Sequence, residues 1–80
     1  MGSWLVQGFK IVVRSREDAR HVPHVHVFKA EHSAVIALGG PSQRPRALEA
    51  DMWPRDLIAA IDAVASIQAE ALAEWRRIHG

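Results

Sequence analysis

Apolar and polar residues follow a strand-like pattern in three short segments of the first half of the chain. Residues 9–14 are rich in β-branched side chains, and residues 24–29 alternate with a period of two, which is typical of strands whose side chains point to opposite faces of a sheet. Residues 34–38 form a third apolar run, closed by the turn-favouring segment 39–42. The short connections predict an antiparallel meander, and residues 44–50 are a weaker candidate for an edge strand.

The last third of the chain has the spacing of a helix. Pro54 suits a first helical turn, Asp51 or a neighbour can cap it, and Asp56 lies near the positive end of the helix dipole. Apolar residues recur at spacings of three and four, at Leu57, Ile61, Val64, Ala71 or Leu72, Trp75 and Ile78. One helix of about 24 residues is about 36 Å long, which outreaches a three-stranded sheet. It must cross diagonally, break near Ser66 or use its end on a partner.

These elements predict an α+β fold in a single domain spanning residues 1–80. We expect a three- to four-stranded antiparallel meander with one long C-terminal helix packed on one face. The 80 residues are 49% hydrophobic and 24% charged, which is typical of a folded domain large enough for one core.

Composition also limits where the protein works. Cysteine is absent, so neither disulfides nor thiolate zinc sites stabilise the fold, and the chain fits a reducing compartment. No apolar run approaches the length that spans a bilayer. We therefore expect a cytoplasmic protein without a membrane partner.

Charge is unevenly divided along the chain. Residues 1–46 contain seven basic and three acidic residues, a net charge of +4, whereas residues 47–80 contain three basic and six acidic residues, a net charge of −3. A polyanion or an acidic protein is therefore expected to approach the first half.

Strand alternation assigns the polar side chains to one face of the sheet. If Val25 and Val27 pack beneath the helix together with Ile61 and Val64, the opposite face is uncovered. We call it the open face; on it the alternation places Lys10, Arg14, His24, His26 and Phe28. This surface is basic, rich in imidazole and aromatic.

The strand histidines are the main candidates for chemistry. Imidazole takes up and releases protons near neutral pH, and a guanidinium can stabilise charge on a phosphate. The set therefore suits metal-independent RNA cleavage, with His24 and His26 as the candidate catalytic base and acid. The candidate substrate-binding residues are Lys10, Arg14, His21 and Phe28. Two histidines on a half-solvated strand also occur without any function.

The same histidines offer a weaker case for a metal. His21, His24 and His26 provide three imidazoles, the ligand set of an open zinc site. However, no nearby Asp or Glu obviously supplies the carboxylate that orients such ligands. We therefore expect neither a bound metal nor another cofactor, and Gly39-Gly40 lacks the following Lys-Ser/Thr of a nucleotide-binding phosphate loop.

The tryptophans are expected to pack against the core. Trp53 and Trp75 lie at the entrance and end of the helix and are predicted to anchor it. Trp4 precedes the first predicted strand. It either closes an edge of the core or lies exposed in a contact between copies of the chain, so a homo-oligomer stays among the alternatives.

The order of these signals resembles the domain of unknown function 4160 family. The chain has Ile11-Val12-Val13-Arg14, an acidic loop with Asp18, the segment His21-Val22-Pro23-His24-Val25-His26-Val27, a short apolar strand, and a helix ending Leu72-Ala73-Glu74-Trp75. The likeness covers about residues 9–78, and Pro23-His24-Val25-His26-Val27 is its specific part. The family usually has two consecutive prolines before the first strand histidine, where this chain has Val22-Pro23.

The resemblance implies a setting but no mechanism. Members look like components of bacterial toxin–antitoxin-type gene pairs, which implies a partner protein, antitoxin or toxin, and leaves enzyme status open. Two functions follow. One is a ribonuclease toxin that uses open-face histidines; the other is a non-enzymatic module that docks an acidic partner protein or nucleic acid on the same face.

Overall fold

The computed structural model of the chain describes residues 2–14, 22–40 and 42–79. Within these ranges, five strands form one antiparallel sheet in sequential order, followed by two helices. The strands are β1 (Gly2–Val6), β2 (Phe9–Val13), β3 (His24–Lys29), β4 (His32–Ala37) and β5 (Arg46–Asp51). The helices are α1 (Pro54–Ser66) and α2 (Gln68–His79). The α+β class and the meander are confirmed, whereas the expected number of strands and the single helix are wrong.

Strand β1 is the element that the sequence pattern missed. It pairs with β2 through a two-residue turn in which Gln7 and Gly8 have φ angles of 51° and 83°. Two positive φ angles are the geometry that matches the twist of a tight hairpin. Trp4 and Val6 pack against the core from β1, so Trp4 closes an edge of the core.

The strands β4 and β5 begin and end at slightly different residues from the predicted strands, 34–38 and 44–50. Lys29 pairs with His32, so Ala30 and Glu31 form the turn, with Ala30 at a φ of 54°. The weak edge-strand candidate is confirmed as β5, which pairs with β4 with a shift in register between Val35 and Ile36.

The core lies between one face of the sheet and both helices. Val25, Val27 and Val64 are fully buried in one cluster, and Ile61 packs against it from a partly buried position. This confirms the predicted inner face. The buried members from the sheet are Phe9, Ile11, Val13, Val25, Val27, Ala34, Ile36 and Leu38, and those from the helices are Ala60, Ala63, Val64, Ala71 and Leu72.

The predicted long helix is broken at Ile67. Its φ and ψ of −120° and 19° leave the helical region, and the Ser66 hydroxyl donates to the Ala63 carbonyl at 2.6 Å, a local bond that competes with helix continuation. The break was one of the three ways for a long helix to fit a small sheet. Neither helix in the described part of the chain is long and apolar enough to cross a membrane.

The start of α1 corrects one tryptophan assignment. Pro54 occupies the start of the helix and Asp56 its first turn, as expected, but the preceding residue, Trp53, makes no side-chain capping bond. Trp53 is 66% exposed, so it does not anchor the core. Trp75 does pack against the core, from α2.

Truncation of the central strand tests the inner face. Val27→Ala is expected to lower the free energy of unfolding by about 1–3 kcal/mol, because it removes buried methyl groups and leaves a cavity. The control Val22→Ala, at a position that is 45% exposed, is expected to change it by less than about 0.5 kcal/mol. Urea denaturation measures both. Equal losses would contradict the assignment of the buried face.

Candidate functional site

Cross-strand pairing aligns the open-face residues in rows. Directly paired residues share a face of the sheet, so each row is a line of neighbouring side chains. One row contains Leu5, Lys10, Phe28, Ser33 and Asp51; the next contains Ser3, Val12, His26, Val35 and Glu49; a shorter row contains His24, Ala37 and Arg46. Lys10, His24, His26 and Phe28 therefore share one face, as predicted.

The charge of the open face differs from expectation. Lys10 and Arg14 are exposed on the β2 side, but β5 adds the exposed carboxylates Glu49 and Asp51 to the same face. The sequence indicated a wholly basic surface because the division by halves placed these acids elsewhere. The face is instead basic at β2 and acidic where β5 presents Glu49 and Asp51, while Arg46 at the other end of β5 is basic.

The two candidate catalytic histidines have different environments. His24 is only 1% exposed, and its Nδ1 lies 2.8 Å from the Val22 carbonyl oxygen. Because that oxygen can only accept, Nδ1 carries the proton. His26 is half-buried, and the two ring centroids are 5.5 Å apart at 66°. The expectation that both histidines are exposed is wrong for His24, whose ring is almost fully buried.

Arg14 and Phe28 form the accessible centre of the site. The Arg14 guanidinium carbon lies 5.6 Å from the centroid of the Phe28 ring, a cation–π distance. The His79 Nε2 donates to the Arg14 carbonyl at 2.8 Å, which ties the end of α2 to the end of β2. This contact fixes the backbone from which Arg14 reaches across the open face.

A cleft of about 360 Å³ lies beside this pair. We call it the open-face cleft; its polar and aromatic lining is Arg14, His26, Phe28, Ser33, Glu49 and Asp51. The predicted substrate-binding residues Arg14 and Phe28 thus meet one of the two histidines, whereas His24 does not line the cleft.

The remaining candidate residues belong to a segment that is not described. His21 and Asp18 lie outside the described residues, so the predicted role of His21 stays a prediction. Among residues 2–14, 22–40 and 42–79, no group of three or more histidine, aspartate or glutamate side chains is close enough to hold a metal ion.

Comparison with known families covers the part of the chain that carries the open face. The sequence matches the family described as Domain of unknown function (DUF4160) over residues 8–76. The chain belongs to this family. The DUF4160 match includes Lys10, Arg14, His24, His26 and Phe28, and it ends before His79. No curated protein and no solved structure gives a significant match.

A second cleft in this DUF4160 protein was missed by the sequence reasoning. It has a volume of about 550 Å³ and lies at one end of the sheet, against α2. We call it the arginine cleft, because Arg44, Arg46 and Arg76 line it together with Gly39 and Gly40. The arginines come from a loop, a strand and a helix, so no local motif connects them. The two glycines were the only local signal, and they indicated a turn.

Gln68 fixes the loop that borders the arginine cleft. Its Nε2 donates to the carbonyls of Leu38 at 2.6 Å, Gln43 at 2.8 Å and Gly40 at 3.1 Å. Gly39 has a φ of 71°, and a Cβ there would lie 3.1 Å from the Gln43 Cβ, so the loop requires glycine. The first residue of α2 thereby holds the chain between β4 and β5.

The Gln68 contacts predict a specific loss of stability. Gln68→Glu keeps the side-chain length but turns the amide donor into a carboxylate that faces carbonyl oxygens. We expect the free energy of unfolding to fall by about 1–3 kcal/mol at pH 7, measured by urea denaturation. The difference from wild type should narrow as the pH falls towards about 4, because the introduced carboxyl then binds a proton and can donate.

The control for this change is Gln7→Glu, the same substitution at an exposed turn position. It is expected to change stability by less than about 0.5 kcal/mol. Equal effects of the two substitutions would contradict the role of Gln68 in holding the loop.

The burial of His24 predicts that it contributes to stability more than His26 does. His24→Ala removes a buried ring and its bond to Val22, so we expect a loss of about 2–4 kcal/mol. His26→Ala, at a half-buried position, is expected to cost less. Thermal unfolding of the two variants measures the difference, and a larger loss for His26→Ala would overturn the assignment of His24 to the interior.

Proposed function

We propose that this DUF4160 protein is the RNA-binding component of a bacterial toxin–antitoxin-type module, and that single-stranded RNA binds its open face. The observation that carries the proposal is the contact of Arg14 with Phe28 beside the open-face cleft. Single-stranded nucleic acids bind surfaces that combine basic side chains with aromatic or guanidinium planes on which bases stack. The setting in a toxin–antitoxin module rests on the family resemblance.

Charge on the open face suggests a path for the RNA. Lys10 and Arg14 belong to the β2 side, where phosphates are attracted, and Phe28 lies on the adjacent strand β3. Glu49 and Asp51 lie across the sheet on β5 and repel phosphates. We therefore place the RNA along β2 and β3, with a base stacked at Phe28 and Arg14.

The burial of His24 favours binding over cleavage. General acid–base cleavage by a histidine pair needs both imidazoles within about 2.6–3.2 Å of reacting atoms, directly or through one water. His26 is half-buried and lines the open-face cleft, whereas His24 is 1% exposed. One accessible imidazole supports RNA contact better than it supports two-residue catalysis.

Charge-matched variants test RNA binding. Arg14→Gln and Lys10→Gln are each expected to weaken binding of a fluorescent single-stranded RNA by several-fold and to reduce its salt dependence, because each removes one positive charge that attracts phosphates. Phe28→Ala is expected to weaken it by about 5- to 100-fold through lost stacking. Fluorescence anisotropy in EDTA measures the affinity. Arg55→Gln, which removes a charge from α1, is the control and should bind like wild type.

The same samples distinguish the competing functions. Intact RNA after incubation with wild-type protein agrees with the proposal. Cleavage that His26→Ala lowers by about 10²–10⁴-fold would instead make the protein a ribonuclease. Absence of RNA binding, together with salt-sensitive binding of an acidic partner protein that Arg14→Gln weakens, would assign the open face to protein docking. An equal loss of RNA affinity in Arg55→Gln would show that RNA is held by general charge attraction and not by the open face.

A further inference from the structure

The arginine cleft shares no lining residue with the open-face cleft and is larger than it. Its volume of about 550 Å³ is within the range of small-molecule sites, about 300–1,000 Å³. Arg46 continues the row of His24 and Ala37 at the edge of the sheet, and Arg76 approaches from α2. Groups from the sheet and a helix therefore border one concave surface.

The charges around this cleft are not fully balanced. Arg44 donates to Asp62 at 2.9 Å, so its charge is already paired. In the described part of the chain, Arg46 and Arg76 take part in no ion pair. Two guanidinium groups that form no ion pair with described residues and border one cavity favour an anionic ligand, because an anion there is attracted by both.

Arg77 shows how a neighbouring arginine differs. It donates to Glu74 through Nε at 2.9 Å and through a second nitrogen. These bonds lower the pKa of the Glu74 carboxyl below its ordinary value. Arg77 does not line the arginine cleft, so α2 pairs one arginine with its own carboxylate and leaves the adjacent one facing the cavity.

The rest of the lining indicates what kind of molecule is attached to the anionic group. Val22, Pro23 and Leu72 supply apolar surface, and the Gln68-held loop presents Gly39 and Gly40 without side chains. The planar, forked guanidinium matches phosphate oxygens through paired hydrogen bonds. A ligand with a phosphate at one end and a body that packs on Val22, Pro23 and Leu72 fits both parts of the cleft.

We propose that the arginine cleft binds a nucleotide through its terminal phosphate monoester. Arg46 and Arg76 hold the phosphate, and the apolar residues contact the nucleoside. The nucleotide is either free or the phosphorylated 5′ end of an RNA chain, since both present the same chemical group. The site uses Arg46 from the open face but none of the residues proposed to bind RNA, so it does not require that Lys10, Arg14 and Phe28 bind RNA.

Titration with AMP tests the site. We expect saturable NMR shifts at the Gly39 and Gly40 amides and the Arg46 Nε, and no comparable shifts with adenosine, which lacks the phosphate. Arg46→Gln and Arg76→Gln are each expected to weaken AMP binding by about tenfold or more, because each removes a charge-assisted contact. Arg77→Gln is the matched control on the same helix and should bind AMP like wild type. Amide spectra of the free variants check that each is folded.

Two RNA oligonucleotides identify the source of the nucleotide. If a 5′-phosphorylated oligonucleotide displaces AMP and its 5′-hydroxyl counterpart does not, the ligand is an RNA end. If neither displaces AMP, the ligand is a free nucleotide. Equal responses to AMP and adenosine, or AMP affinity unchanged in both Arg46→Gln and Arg76→Gln, would overturn the proposal. Because Lys10 and Arg14 are unchanged throughout, these results are separable from those on the open face.

Discussion

Burial of one face of the sheet under both helices is the constraint on which the rest of the structure depends. Successive side chains of a strand point to opposite faces, so the burial of Val25 and Val27 also directs His26 and Phe28 to the other side. The candidate site is thus a consequence of the core. A register shift of one residue in β3 would expose the valines and remove the site at the same time.

The break between α1 and α2 connects the core to the second site. A continuous helix would extend past the sheet, whereas the turn at Ile67 begins a new helix with Gln68 facing the loop after β4. The same helix carries Arg76 to the arginine cleft. The break that fits the helices to a small sheet therefore also shapes the arginine cleft.

Distribution of charge is where sequence order and spatial arrangement diverge. Residues 47–80 are acidic as a segment, but β5 places Glu49 and Asp51 on the same sheet face as Lys10, while α2 places Arg76 beside Arg46. Charge in a linear segment predicts the field at a surface only when the whole segment lies on that surface. Pairing of strands and packing of a helix redistribute it here.

Local periodicity determined, from the sequence by itself, three central strands, the helical last third, the buried valines and the set of residues that share the open face. These features depend on side-chain direction along one element. Tertiary structure alone decided that Gly2–Val6 forms a strand, that Trp53 is exposed, that His24 is buried and that three distant arginines border one cleft. Each of these depends on what packs across from a residue, and contacts between distant segments leave no period in the sequence.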